Sequence, residues 1–363
     1  MNLWINPEIL DSIGQFMTTP TGHLTRDLLV IYGVHRIHRN FKMQKKYFGK
    51  KEYFEIKDAP KTTSHESIIK KEQLKYMPHH KEIEKFGYIL YKNFNQDDCN
   101  TFMSNLKSLY ICNSYFFRRS GVKIGGMYNV RDNEMTLGED SDSIYHELFH
   151  MSARKVDGAV CFDGFGIGYK EGLKGYKIGH GIDEGYTEYL TQKYCKTDKI
   201  KVDNGKKIGS YVFEVFVAGK IEQIVGEDKM KSLYLNANLK GLIEELSKYN
   251  TKDKTINAIQ KLDFLNVYLY KPVTLVESIR CQKSANTVNE YLLETYLNKV
   301  GKQIKEEKSY TPEQLLDMAN FTTEINNAPI FCVGGHYKPL TIKKTKKIID
   351  RYFSTDLTET NNS

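Results

Sequence analysis

The sequence predicts an α+β fold in which a small mixed sheet precedes a mainly helical C-terminal half. Three patterns carry that expectation. Residues 126–137 read as strand, turn and strand; residues 141–154 read as a helix with one polar and one apolar face; and helical periodicity dominates after residue 205.

At 363 residues the chain has room for one large domain or two ordinary ones. Hydrophobic residues at 40% against 27% charged, with 25 Tyr and 18 Phe, place it among chains that bury a core rather than stay disordered. The net charge of +8 comes from lysines spread along the chain and reads as a solvated surface with a weak preference for acidic partners. Cys99, Cys112, Cys161, Cys195, Cys281 and Cys332 form no CxxC pair, which argues against a disulfide framework. The first thirty residues show no secretory pattern, and the early apolar run Leu28 to Tyr32 is far short of the ~20 residues that cross a bilayer. The expected location is therefore the cytoplasm, with no membrane span.

Residues 1–60 form a basic N-terminal segment. Its stretch RIHRNFKMQKKYFGKK, from Arg36 to Lys51, interleaves Phe41, Tyr47 and Phe48 with cations, a composition that suits either a nucleic-acid backbone or a solvated helix face. A core over 61–205 follows. NQDDCNTFMSNLKSLY, from residue 95, places Phe102, Leu106 and Leu109 at helical spacing, and GGMYNV and EMTL then flank the Arg131-Asp132-Asn133 turn as a hairpin. The glycine-rich stretch between Gly158 and Gly181 reads as a loop or irregular hairpin, either a flap over substrate or a plain surface feature. Residues 206–363 form the helical subdomain. There Tyr211 to Val225 stops at Gly226, Leu239 to Leu246 is apolar at helical spacing, and Thr311-Pro312-Glu313-Gln314 opens a further helix with a capping box. A second basic stretch spans 338–351, and the polar end is expected to fray.

The chemistry concentrates in SDSIYHELFHMSAR, from Ser141 to Arg154. At about 100° per residue His146 and His150 share one helix face and can reach one ion, while Ile144, Leu148 and Met151 lie about 140–200° away and face a core. Glu147 sits one step round from His146, close enough to serve as general base without occupying a ligand position. Catalytic zinc takes three protein ligands, so a third is required. GHGIDEGYTEYLTQKY supplies Glu184 and Glu188, four apart on one helix face: one can bind the ion and the other can accept a hydrogen bond from a ligand histidine. Gly185 removes a side chain where two helices approach around a small ion. A metzincin pattern fails, because Ala153 and Val156 stand where Gly and a third His are needed.

HELFH followed by DEGYTEYL resembles the gluzincin metallopeptidases, the thermolysin-like and zinc-aminopeptidase-like zincins. The resemblance covers about residues 124–195. It implies a zincin-like core, Zn2+ as cofactor, Glu184 as third ligand, Glu188 as the acid behind a ligand histidine, and hydrolysis of a peptide or protein substrate. It also implies that the strand near 126–137 is the edge on which an extended peptide lies. No GxMEN-type exopeptidase motif is present. The residue that stabilises the oxyanion has no motif of its own; His180, Tyr186 and Tyr211 are the candidates by residue type, each also readable as structural. Two rival readings are a zinc-bearing binding or regulatory protein without turnover, and a nucleic-acid-associated protein using the basic stretches.

Overall fold

Apolar residues three and four apart dictate where the chain coils and which faces it buries. In the computed structural model the described residues are 79–113, 126–137, 143–158, 160–171, 174–195, 201–203, 206–208, 211–268, 274–307, 311–329 and 344–351, all within one unit that spans 58–363. The basic segment expected over 1–60 lies outside them. Of the second basic stretch, residues 344–351 are described, as a helix.

Helix α1 (His80–Asn93) buries Ile83, Phe86, Ile89 and Leu90 along one stripe, and α2 (Gln96–Leu106) buries Phe102 and Leu106. The rings of Phe86 and Phe102 meet with centroids 5.4 Å apart. Strand β1 (Tyr110–Asn113) pairs in parallel with β3 (Glu134–Leu137), and β2 (Gly126–Asn129) pairs antiparallel with β3, giving the order β1-β3-β2. The sheet is small and mixed, as expected. Its hairpin turn ends at Asn133, whose φ of 54° lies in the left-handed region that asparagine tolerates. The Asn133 amide donates to the Asn105 carbonyl at 2.7 Å, tying the turn to α2.

Helix α3 (Ser143–Ser152) carries the HExxH residues. Ile144, Leu148 and Met151 are fully buried, and Phe149 packs edge-on against Phe86 at 4.7 Å, so the apolar face points to the core as its spacing predicted. Arg154, just past the helix, donates to the carbonyls of Val130 and Arg131 and to the Asn105 side chain. These bonds fix the hairpin relative to the motif helix.

The glycine-rich stretch is neither loop nor irregular hairpin. Strands β4 (Lys155–Asp157), β5 (Val160–Asp163), β6 (Gly166–Glu171) and β7 (Lys174–Ile178) form a four-stranded antiparallel meander. Val160, Phe162, Ile167 and Ile178 are buried, which supplies the energy that glycine withholds from a strand. Gly158 and Gly164 take φ of 55° and 53° at the turns.

Helix α4 (His180–Cys195) follows, then a hairpin of β8 (Lys201–Asp203) and β9 (Lys206–Ile208). The remaining described elements are helices: α5 (Val212–Val225), α6 (Glu227–Leu235), α7 (Leu239–Leu246), α8 (Lys252–Tyr268), the long α9 (Leu275–Glu307), α10 (Pro312–Asn326) and α11 (344–351). Gly226 ends α5 with φ 96°, and Thr311 and Gln314 form the expected capping box on α10. No helix among the described residues is long and apolar enough to cross a membrane.

Helix α4 is wedged between α3, α5 and α8. A Cβ on Gly185 would sit 2.4 Å from the Glu214 carbonyl oxygen, so the close approach that this glycine permits is to α5, rather than to the helix across the ion as its neighbourhood in sequence suggested. A turn and a half earlier Asp263 of α8 accepts the backbone N–H groups of Gly179 and Gly181, each at 2.9 Å, and so caps the N-terminus of α4.

Candidate metal centre

A separation of four residues puts the imidazoles of His146 and His150 on the same side of α3, and α4 brings Glu184 opposite them. Three donor atoms converge. His146 Nε2 lies 3.1 Å from His150 Nε2 and 3.2 Å from Glu184 Oε2, and the third edge, His150 Nε2 to Glu184 Oε2, is 3.6 Å. Tetrahedral zinc with donors at ~2.0–2.1 Å sets donor–donor edges of about 3.3–3.4 Å, so the triangle matches one ion of that size. These three residues can hold a metal ion.

The far nitrogens fix where the protons sit. His146 Nδ1 is 2.9 Å from Glu188 Oε2, which makes Nδ1 the donor and turns the lone pair of Nε2 into the triangle. His150 Nδ1 lies 3.1 Å from Asp163 Oδ1 and 3.5 Å from Asp183 Oδ2. It is within ion-pair reach of both, yet neither it nor Asp163 Oδ1 makes an aligned hydrogen bond among the described residues. Two nitrogen lone pairs that face each other at this distance repel unless a proton or cation lies between them.

The field of the site is strongly negative. Burial disfavours the charged form of His146, but the hydrogen-bonded carboxylates of Glu184 and Glu188 outweigh it and push its pKa up to about 10. His150 is likewise raised well above its ordinary value, with burial opposed by the Asp163 and Glu184 charges. Burial would raise Glu184, but the charges of His150 and His180 hold it well below the usual carboxylate range. A site that draws protons onto its imidazoles exerts the same pull on a cation. The His146 and Glu184 side chains remain 12% and 11% exposed, so solvent reaches the triangle from one side.

Glu147 is buried beside the triangle and makes none of its edges. Burial raises its pKa, and the neighbouring imidazoles pull the other way. Gly126, at the start of β2, packs directly on it: a Cβ there would stand 2.8 Å from Glu147 Oε1. The base expected from the motif therefore lies against the first residue of β2, an edge strand among the described residues.

Of the three oxyanion candidates, two are at the site. Tyr211, with φ 59° just before α5, stacks on His146 with centroids 5.8 Å apart. Burial first, then the Glu184 charge, holds this phenol well above its ordinary range. His180 Nε2 is 3.4 Å from Glu184 Oε1, one turn along α4. Tyr186 is elsewhere: it is fully buried and donates to Glu222 at 2.7 Å, fastening α4 to α5.

Asp163 and Asp183 escaped sequence reasoning. Asp183 had a signal, its place next to Glu184 at the start of α4. Asp163 had none, because the fold of the glycine-rich meander alone brings it to His150. With His150 these two carboxylates make a second set that could hold a cation, through the opposite nitrogen of the same ring. No family model, curated protein or solved structure matches the chain.

Proposed function

We propose that the chain is a zinc-dependent peptidase, with His146, His150 and Glu184 as metal ligands and Glu147 as general base. The observation that carries this reading is the convergence of two imidazole lone pairs and one carboxylate oxygen, with edges of 3.1, 3.2 and 3.6 Å, beside a carboxylate that is no part of the triangle. A purely structural ion needs no such carboxylate.

When bound, zinc supplies Lewis acidity: it acidifies water and polarises a scissile carbonyl. Glu147 then takes the proton from water and returns it to the leaving amine, a task for which its partial desolvation leaves it basic enough. Glu188 holds His146 in the tautomer that offers Nε2. Tyr211, stacked on His146, is the better placed of the remaining candidates to stabilise developing negative charge. Among the described residues strand β2 lies at one edge of its sheet next to Glu147, which supports an extended peptide as substrate, added to the sheet by backbone hydrogen bonds.

Metal analysis of the purified chain, coupled to cleavage of a peptide library, tests the proposal. The expected result is about one zinc per chain, because three protein ligands form one site, with cleavage lost to a chelator and restored by zinc. A chain that holds no zinc, or that cleaves equally well without it, overturns the reading.

A further inference from the structure

Among the described residues the glycine-rich meander meets the metal centre at the two-residue turn between β5 and β6. Asp163 pairs with Gly166 across it, and Gly164 and Phe165 form the tip, with Gly164 at φ 53°, a value suited to glycine in tight hairpins. The turn is moulded around Asp183. A Cβ on Gly164 would stand 2.3 Å from Asp183 Oδ1, and one on Gly166 would stand 3.0 Å from Oδ2. The Phe165 N–H donates to Asp183 Oδ1 at 3.0 Å, and the Phe165 ring packs against Tyr186 and Tyr234 at 5.8 and 5.6 Å.

Two carboxylates thus face His150 Nδ1, which has one proton to give once Nε2 serves as a ligand. Asp163 is the nearer, its Oδ1 at 3.1 Å against 3.5 Å for Asp183 Oδ2, and Asp163 Oδ1 has no hydrogen-bond partner among the described residues, whereas Asp183 is tied to the turn through its other oxygen, Oδ1. His150 itself is 4% exposed, so its Nδ1 is shielded from bulk solvent.

We propose that Asp163 is the positioning residue for His150, accepting its Nδ1 proton and aiming Nε2 at the metal, while Asp183 anchors the turn that delivers Asp163. The role rests on the metal reading above and assigns the meander a purpose in it: a brace for one ligand rather than a flap over substrate. An outer carboxylate of this kind is typically worth 10–100-fold in metal affinity, roughly the effect expected here.

The test is zinc affinity of the full chain, by competition with a chromophoric chelator, for wild type, Asp163→Ala, Asp163→Asn and Asp183→Asn, together with the thermal midpoint of each metal-free form. The Asp163→Ala variant is expected to bind zinc about 10–100-fold more weakly with an unchanged metal-free midpoint. Asp163→Asn, whose amide oxygen still accepts a hydrogen bond, should fall between it and wild type. The Co2+-substituted absorption of Asp163→Ala should shift as the ring turns. Asp183→Asn is expected to lower the metal-free midpoint and to reduce affinity less than Asp163→Ala does. Wild-type affinity in Asp163→Ala overturns the assignment, as does a greater loss in Asp183→Asn. Two ions in wild type and one in Asp163→Ala would also overturn it, since a cation would then fill the gap. A wild-type chain that takes up no zinc removes the metal reading itself, and this role with it.

Discussion

At the scale of single residues, the two acids of α4 differ by which nitrogen of His146 they face. Glu184 meets Nε2 at 3.2 Å and Glu188 meets Nδ1 at 2.9 Å, so in the proposed reading one would share the metal and the other would set the tautomer. Glu184→Ala is expected to abolish tight zinc binding, and Glu188→Ala to weaken it by roughly 10–100-fold, as measured by chelator competition. The reverse order would exchange their roles. Gly126→Ala offers a cleaner probe of the base: the added methyl would meet Glu147 Oε1, displacing the carboxylate while leaving the ligands untouched. Turnover should fall at least tenfold or so, with zinc affinity unchanged. Spacing made His146, Glu147, His150 and the Glu184–Glu188 pair legible, because ligands on helices repeat every four residues. Asp163 was not legible. It stands thirteen positions beyond His150 on a turn, and no local pattern encodes a contact made by a meander folding back on a helix.

At the scale of elements, the N-terminal half of α4 is held by features other than hydrophobic area. Gly185 lets its backbone touch that of α5 at Glu214, so Gly185→Ala should force the helices apart and cost about 1–3 kcal/mol, read from denaturant unfolding. Asp263 caps its N-terminus with both oxygens, and burial pushes this carboxyl up to about 6 despite its backbone donors. A folded-state pKa above the unfolded value of 3.8 means that the group's contribution to stability is greatest below about pH 4 and declines as pH rises through about 6. Asp263→Asn should remove that slope, so the stability difference between wild type and variant narrows from pH 4 to about 6; a constant difference across the window would show that Asp263 does not titrate there. The hairpin at 126–137 and, among the later helices, those over 212–225, 239–246 and from 312 were readable from alternation, turn residues, periodicity and caps; the helices over 227–235, 252–268 and 275–307 had no such marks. The meander was not readable either, since glycines at Gly164, Gly166 and Gly168 erase the strand signal, and what favours the strands is pairing and burial against α4, both set by tertiary structure.

At the scale of the whole molecule, elements from both sides of residue 205 build one centre: α3 and the meander before it, Tyr211 and α5 after it. Folding and metal binding are then linked. A ligand that binds only the folded chain stabilises it by about 4 kcal/mol at a thousand times its dissociation constant, so zinc should raise the thermal midpoint in a concentration-dependent way and a chelator should lower it. His150→Ala should abolish that response; a shift that persists would place the ion elsewhere. The most direct test of the account as a whole is a paired measurement of zinc content and peptide hydrolysis for wild type and Glu147→Gln. The amide fits the space beside Gly126 but cannot accept a proton, so the account predicts equal zinc in the two proteins and a loss of turnover of about 100-fold or more. Undiminished hydrolysis by Glu147→Gln, with zinc bound, would contradict it.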